Sequence, residues 1–367
     1  MYSKLKVLLL VNEFRTWYIA RHLSYSAQLG VEEALRANQV ECEVLTSPWL
    51  PKVLDLTRGR RFDQIWVVGR LDVFDELTLA RVAGLGPVRL GMLSESAEYT
   101  DEECIISPGL KDRKKIIERR LPYLTHIAAC DEKDADELNA RGVTPAIWWP
   151  QAVPKRFISD SSAPPSRNSA IFCGNPYALR RECLKHPELK PLLRYVTSRE
   201  WSTIDPILFT ALHLPVIWPI RCALPMSERV FAQYLSHLRS LRQRCFEGWL
   251  QTLQTGRAVV NLPHFVKTYA GRVVEGMAAG RPVISWEIPG RPQNRALFED
   301  QREIVLFAKD NPDQLAHQIR RVIGDRELSR KIVVNARKKL RRFHTSETRV
   351  RQILEWLTEG RTPRYTD

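Results

Sequence analysis

The chain has no run of eighteen or more apolar residues, so nothing in it reads as a transmembrane helix. No G-x-G-x-x-G follows the first apolar segment. The turn there is Asn12-Glu-Phe-Arg15, which argues against a dinucleotide oxidoreductase. Walker A, H-E-x-x-H and G-x-S-x-G motifs are also missing, and no repeat of fixed period is present. The seven cysteines never approach C-x-x-C spacing and several have apolar flanks, as in Ala170-Ile-Phe-Cys173. Scattered and odd in number, they suit reduced core residues of a cytoplasmic protein better than a disulfide framework or a zinc site. The N-terminal MYSKLKVLLLVNEF has a charge and a short apolar run, but no small-residue cleavage site follows. It reads as a first buried strand rather than a signal peptide.

What is present is size, alternation and positive charge. With 367 residues the chain is long for one domain and comfortable for two. Apolar strand-like runs (Leu5–Val11, Val40–Leu45, Gln64–Val68, Val88–Leu93, Ile127–Cys130, Ala146–Trp149) alternate with helical segments such as Leu23–Ala37, Leu77–Val82, Leu110–Leu121 and Glu132–Ala140. That pattern predicts a parallel sheet with helices on both faces. Gln151–Ser169, rich in Pro and Ser, reads as a linker. Ala170–Gly174 then restarts the alternation, which continues through Ala258–Asn261, Val283–Trp286 and Ile304–Phe307. Glu228–Gln254 has the spacing of one or two helices, Asn311-Pro312 and Asp325 open two more, and Thr348–Glu359 forms the last. The stretch 187–225 has no clear period. The expected division is a first domain over 1–152, a linker over 153–169, a second domain over 170–345 and a closing helix and tail over 346–367.

The net charge is +14, and residues 301–350 hold 13 Lys or Arg against 6 Asp or Glu. Such a surface suits phosphorylated ligands or an anionic membrane, or is simply a solvated face. Aromatics are not interleaved with the basic run Arg337–Arg342, which argues against nucleic acid.

The candidate site centres on Asn261–Glu287, NLPHFVKTYAGRVVEGMAAGRPVISWE, which reads as polar loop, helix, glycine stop and buried strand. A helix start facing a cleft suits a phosphate. Within the helix Arg272 and Glu275 lie three apart on one face. Glu275 has the chemistry to accept hydrogen bonds from adjacent ribose hydroxyls, or else it forms an ordinary salt bridge with Arg272. His264 and Lys267 crowd the loop before the helix. Gly174, in a turn after a strand, and Arg180 and Arg181, opening the next helix, could face a diphosphate; the alternative is ordinary surface arginine. Glu95, just past the fourth strand, stands where a base for an acceptor hydroxyl would, or is a loop carboxylate. His126, ahead of a strand, reads as structural. Asp134-Ala-Asp136 spells a metal-holding D-x-D, but its place early in a helix is explained by the helix dipole, so no metal site is assigned.

Four stretches carry a family resemblance: Cys130–Pro154, Ile171–Cys183 (IFCGNPYALRREC), Val259–Ser285 and Glu303–Thr345. Together they resemble GT-B glycosyltransferases, most closely the group 1, family 4-like branch with an Arg-x-x-Glu motif. The resemblance implies two Rossmann-like parallel-sheet domains facing across a cleft, with the C-terminal helix crossing back to the first. It implies that the second domain binds a nucleotide-diphosphate sugar, as a donor substrate rather than a cofactor. Glu275 would hold the ribose, while Gly174, Arg180, Arg181, Lys267 and Arg272 would serve the diphosphate. Glu95 and His264 are then the catalytic candidates. Arginines and helix dipoles would do the work of a metal. The acceptor would be a saccharide, a lipid-linked glycan or a protein, met in the cytoplasm or at the cytoplasmic membrane face. One departure stands out. The related retaining enzymes have a second glutamate eight positions before the ribose-binding one, and here that position is Lys267. Retaining and inverting outcomes therefore both stay open. The rival reading is a non-catalytic two-domain scaffold whose basic face grips nucleic acid or a phosphorylated polymer.

Overall fold

In a computed structural model of the chain, residues 4–11, 29–46, 57, 59–69, 71, 74–160, 163–174, 176–196 and 228–366 are described. The first half contains β1 (Lys6–Val11), α1 (Leu29–Ala37), β2 (Glu41–Thr46), β3 (Gln64–Gly69), α2 (Glu76–Ala83), β4 (Val88–Leu93), α3 (Asp101–Ile106), α4 (Arg113–Glu118), β5 (His126–Ala129), α5 (Glu132–Ala140) and β6 (Ala146–Trp148). Its strands form one sheet in the order β2-β1-β3-β4-β5-β6, and every pair is parallel. The continuous apolar runs have the expected cause: Val7 to Leu10 in β1 and the whole of β3 are buried, because helices cover both faces.

The second half contains β7 (Ala170–Cys173), α6 (Leu179–Lys185), β8 (Leu193–Val196), α7 (Glu228–Thr255), β9 (Ala258–Asn261), α8 (Gly271–Ala278), β10 (Val283–Trp286), α9 (Pro292–Ala296), β11 (Val305–Phe307), α10 (Pro312–Gly324), α11 (Arg326–Phe343) and α12 (Ser346–Glu359). Its sheet runs β11-β10-β9-β7-β8, again wholly parallel. In this order β7 is flanked by β8 on one side and β9 on the other. The chain winds outward in both directions from that point, and crevices open there at the carboxyl ends of the strands.

The last helix returns to the first sheet. α12 packs on α1, and Asn38 Nδ2 donates to the Glu347 carbonyl at 3.0 Å. Thr345 opens α12 by accepting the Thr348 N–H at 3.1 Å, so the helix starts two residues before the expected Thr348. At the entry to α12, Val153 bridges Thr345, which ties the chain after β6 to the start of α12.

Local details also differ from expectation around α3 and α4. The single helix expected over Leu110–Leu121 is instead α4 between 3-10 turns at Pro108–Leu110 and Leu121–Tyr123. Pro108 and Pro122 lack the N–H that a continuous helix needs there. Before it lies the unforeseen α3. Thr100 and Glu103 form its capping box, but it buries no residue, so it shows no apolar period to read. The expected helix start at Leu23 and most of the 187–225 stretch fall outside the described residues. α7 is one helix of 28 residues.

Candidate active site

The site assembles where β7 and β9 end side by side. Cys173 leads into Gly174, and Asn261 into the loop that carries His264 and Lys267. Gly174 has φ +151°, and a Cβ there would stand 2.5 Å from Arg272 Nη2. Only a glycine lets the α8 arginine come so close to the β7 turn. Arg272 is buried. Its Nη1 donates to Asn261 Oδ1 at 3.0 Å, its guanidinium lies 4.9 Å from the Phe172 ring centroid, and its Nε has no hydrogen-bond partner. Burial lowers its pKa, against the pull of nearby Cys173, Glu275 and Tyr177.

Arg180 reaches the same ring from α6. It is buried, 5.5 Å from the Phe172 centroid and 4.6 Å from that of Tyr177, and its Nε donates to the Pro263 carbonyl at 2.9 Å. Burial pulls its pKa down to about 10, and the positive charge of Arg272 adds to that. Two buried guanidiniums thus share one aromatic ring and repel each other. That arrangement is costly unless a polyanion comes between them. At the N-terminus of α8, Ala270 offers no side-chain cap, so the helix's positive end faces the same loop.

His264 supplies a different group. Its Nδ1 accepts the Val266 N–H at 3.1 Å, while its Nε2 is shielded and has no partner. Burial, then Arg180 and Arg272, hold its pKa well below the usual histidine value. The ring is therefore neutral, with Nδ1 the acceptor and Nε2 carrying the proton. It can donate a hydrogen bond to a ligand oxygen but is poorly placed to take a proton.

Glu275 is buried, and its Oε2 accepts the Trp249 Nε1–H at 2.8 Å. The simple Arg272–Glu275 salt bridge across one turn is not formed. Arg272 turns to Asn261 and Glu275 to Trp249.

Three of the expected residues stand elsewhere. Arg181 is exposed on α6, because adjacent residues on a helix point about 100° apart and Arg180 takes the inward direction. Lys267 reaches across to the first domain. Its Nζ pairs with Glu103 Oε2 at 3.1 Å and donates to the Glu98 carbonyl at 3.1 Å, and its N–H donates to Ser96 Oγ at 3.1 Å. The carboxylate of Glu95 is paired with the buried Arg113.

Sequence reasoning missed the polar seam that joins the two halves. Asp131 Oδ2 accepts from Arg291 Nη2 at 2.9 Å and from Ser96 Oγ at 2.9 Å. Glu132 caps α9 by accepting the Gln293 and Asn294 N–H groups at 3.1 and 2.6 Å. Asn294 Oδ1 in turn takes the Tyr269 N–H at 3.0 Å. Of the D-x-D pair, Asp134 is buried and accepts the Ala97 N–H at 2.8 Å, while Asp136 is exposed. Among the described residues no group of three or more His, Cys, Asp or Glu side chains converges as metal ligands. No described helix is long and apolar enough to cross a membrane.

The molecule has the GT-B fold of two-domain glycosyltransferases. Residues 236–355, which contain α8 and its Arg272-Val-Val-Glu275, match a glycosyl transferase-like family. Sucrose-phosphate synthase from Thermosynechococcus elongatus superposes with TM-score 0.59 at 13% identity, over 97% of this chain and 99% of that one. Anabaena HepE, solved with UDP-glucose, gives 0.53 at 15% identity over 96% and 99%. An α-glucosyltransferase solved with UDP gives 0.60 at 10% identity over 96% and 99%.

Proposed function

We propose that the chain is a glycosyltransferase that moves a sugar from a nucleoside diphosphate sugar to an acceptor hydroxyl. The observation that carries this reading is the pair of buried guanidiniums, Arg180 and Arg272, both held against the Phe172 ring beside the start of α8. A diphosphate between them would turn their repulsion into charge-assisted hydrogen bonds. Glu275, oriented by Trp249, would accept from the ribose hydroxyls, and His264 Nε2–H would donate to an oxygen of the donor.

In the reaction the acceptor oxygen attacks the anomeric carbon and the bond from that carbon to the diphosphate oxygen breaks. The negative charge left on the nucleoside diphosphate is stabilised by the two arginines and the α8 dipole. The acceptor proton goes to a base on the first domain. Glu95 fills that role if substrate binding draws Arg113 away from it. In this division residues 1–152 receive the acceptor, 170–345 hold the donor, 153–169 link them, and 346–367 return the chain to the first domain. The donor is a substrate, and arginine charge takes the part that a metal plays in other transferases. Cys42, Cys104, Cys130, Cys173 and Cys183 form no disulfide, which supports placing the reaction in a reducing compartment such as the cytoplasm.

The test is thermal unfolding with a panel of UDP-, GDP-, ADP- and dTDP-sugars. Uridine donors come first, because HepE and the α-glucosyltransferase were solved with them. A ligand that binds only the native state raises the melting temperature. The expected result is stabilisation by one nucleotide class. No shift with any of them would overturn the reading.

A further inference from the structure

The surplus of positive charge in the last third of the chain has no part in the donor site. Much of it converges at the opposite end of the second sheet, before the strands rather than after them. There α11, the Gly280-Arg281-Pro282 turn and the linker around Pro164 enclose a groove of about 710 Å³. Five arginines line it: Arg257, Arg281, Arg326, Arg330 and Arg337. The one carboxylate on its wall among the described residues, Asp160, is already paired with Arg341 at 2.6 Å.

Arg281 is fixed by the Gln254 and Ala163 carbonyls. Burial lowers its pKa, and the charge of Arg337 adds to that. The Nε of Arg257 is shielded from solvent and has no hydrogen-bond partner. Arg326 and Arg330, one turn apart on the exposed side of α11, form no ion pair with any described residue. From Arg326 to Arg337 the helix rises about 16 Å, so the charges are spread along the groove rather than gathered at one point. The Val333 and Val334 side of the groove is apolar, which lowers the local dielectric and strengthens attraction to an anion.

We propose that this groove is a second anion site, separate from the donor cleft, and that it binds a small soluble ligand carrying several phosphate groups. A row of guanidinium forks spaced along a concave wall matches phosphates carried by one ligand. A membrane would meet a flat or convex basic face more readily than a groove.

Calorimetric titration of inorganic tripolyphosphate into the full-length protein tests this. Wild type is expected to bind. Arg326→Glu/Arg330→Glu, both exposed, should weaken binding by about ten-fold or more. Lys133→Glu/Lys338→Glu, with the same change in net charge, should leave affinity within about two-fold. Arg272→Gln weakens whatever tripolyphosphate the donor cleft takes up and should leave the binding step at the groove in place. No heat with wild type, no loss in the Arg326/Arg330 variant, equal loss in the Lys133/Lys338 variant, or loss of all binding in Arg272→Gln would each overturn the proposal. So would flotation of the wild type on anionic phospholipid vesicles, lost in the Arg326/Arg330 variant, when tripolyphosphate gives no heat.

Discussion

Trp249 Nε1 donates a 2.8 Å hydrogen bond to Glu275 Oε2, so a residue of α7 sets the orientation of the carboxylate that the proposed function assigns to the ribose. Replacing Trp249 by Phe keeps an aromatic ring and removes the donor. A hydrogen bond to a charged group is worth about 1.5–3 kcal/mol, and part of that is lost from the fold itself. We expect Trp249→Phe to lower the melting temperature modestly and to raise the Kd for the nucleotide by about ten-fold. An unchanged Kd would separate Trp249 from the site.

Gly174 makes a second prediction. A methyl group at this position would meet Arg272 Nη2 at 2.5 Å, and φ of +151° is strained for any L residue. The obstructing atom ends a side chain, so the arginine would be displaced more easily than the backbone. Gly174→Ala should therefore cost about 1–3 kcal/mol of stability and should also weaken diphosphate binding. Chemical unfolding and nucleotide titration of the same variant check both parts.

Lys267 is the clearest case of a residue whose type was legible and whose partner was not. From the sequence it belonged with the diphosphate. Its partners Glu98 and Glu103 come from the other domain, and no local period announces contacts that distant in the chain. The same limit explains Asp131–Arg291 and Glu132–Asn294. The alternation of strands and helices was legible because strands such as β3 and β7 are buried on both faces and so show as nearly unbroken apolar runs. The face shared by Arg272 and Glu275 was legible as well. Their separate partners were not, because α8 is buried all round and each residue meets a different neighbour. Asn261, closing the otherwise apolar Ala258-Val-Val, was the one visible signal for the partner of Arg272.

From that geometry Lys267 acts on domain pairing rather than on nucleotide affinity. Lys267→Ala should leave the nucleotide Kd within about two-fold and lower kcat several-fold. A double-mutant cycle with Glu103→Ala should show coupling of about 0.5–1 kcal/mol, as expected for a partly exposed pair. Equal kcat in wild type and variant would remove Lys267 from the closing contacts.

The seam also makes stability depend on pH. Burial first, and the charge of Asp131 second, raise the Asp134 pKa from 3.8 to about 7. A carboxyl raised in the folded state favours folding below 3.8, and that contribution is lost as pH rises towards 7. Asp134→Asn still accepts the Ala97 N–H and has no proton to lose. Its stability advantage over wild type should grow between pH 4 and 7 and level off above, at up to ~4 kcal/mol. His264 and His344 act in the opposite sense. Both are held well below the usual histidine value, chiefly by burial. The unfolded chain takes up their protons first, so stability falls as pH drops below about 6.5. Urea unfolding of wild type and Asp134→Asn from pH 5 to 8 resolves the two effects. A difference that does not vary with pH would refute the assignment for Asp134.

The central claim is that Arg180 and Arg272 hold a nucleoside diphosphate against the start of α8. Calorimetric titration of the nucleoside diphosphate selected by the thermal screen, into wild type and into Arg272→Gln, tests it most directly. Glutamine can still donate to Asn261 but brings no charge. The account predicts that affinity falls by about ten-fold or more while circular dichroism stays native. Equal affinity in the two proteins would contradict it.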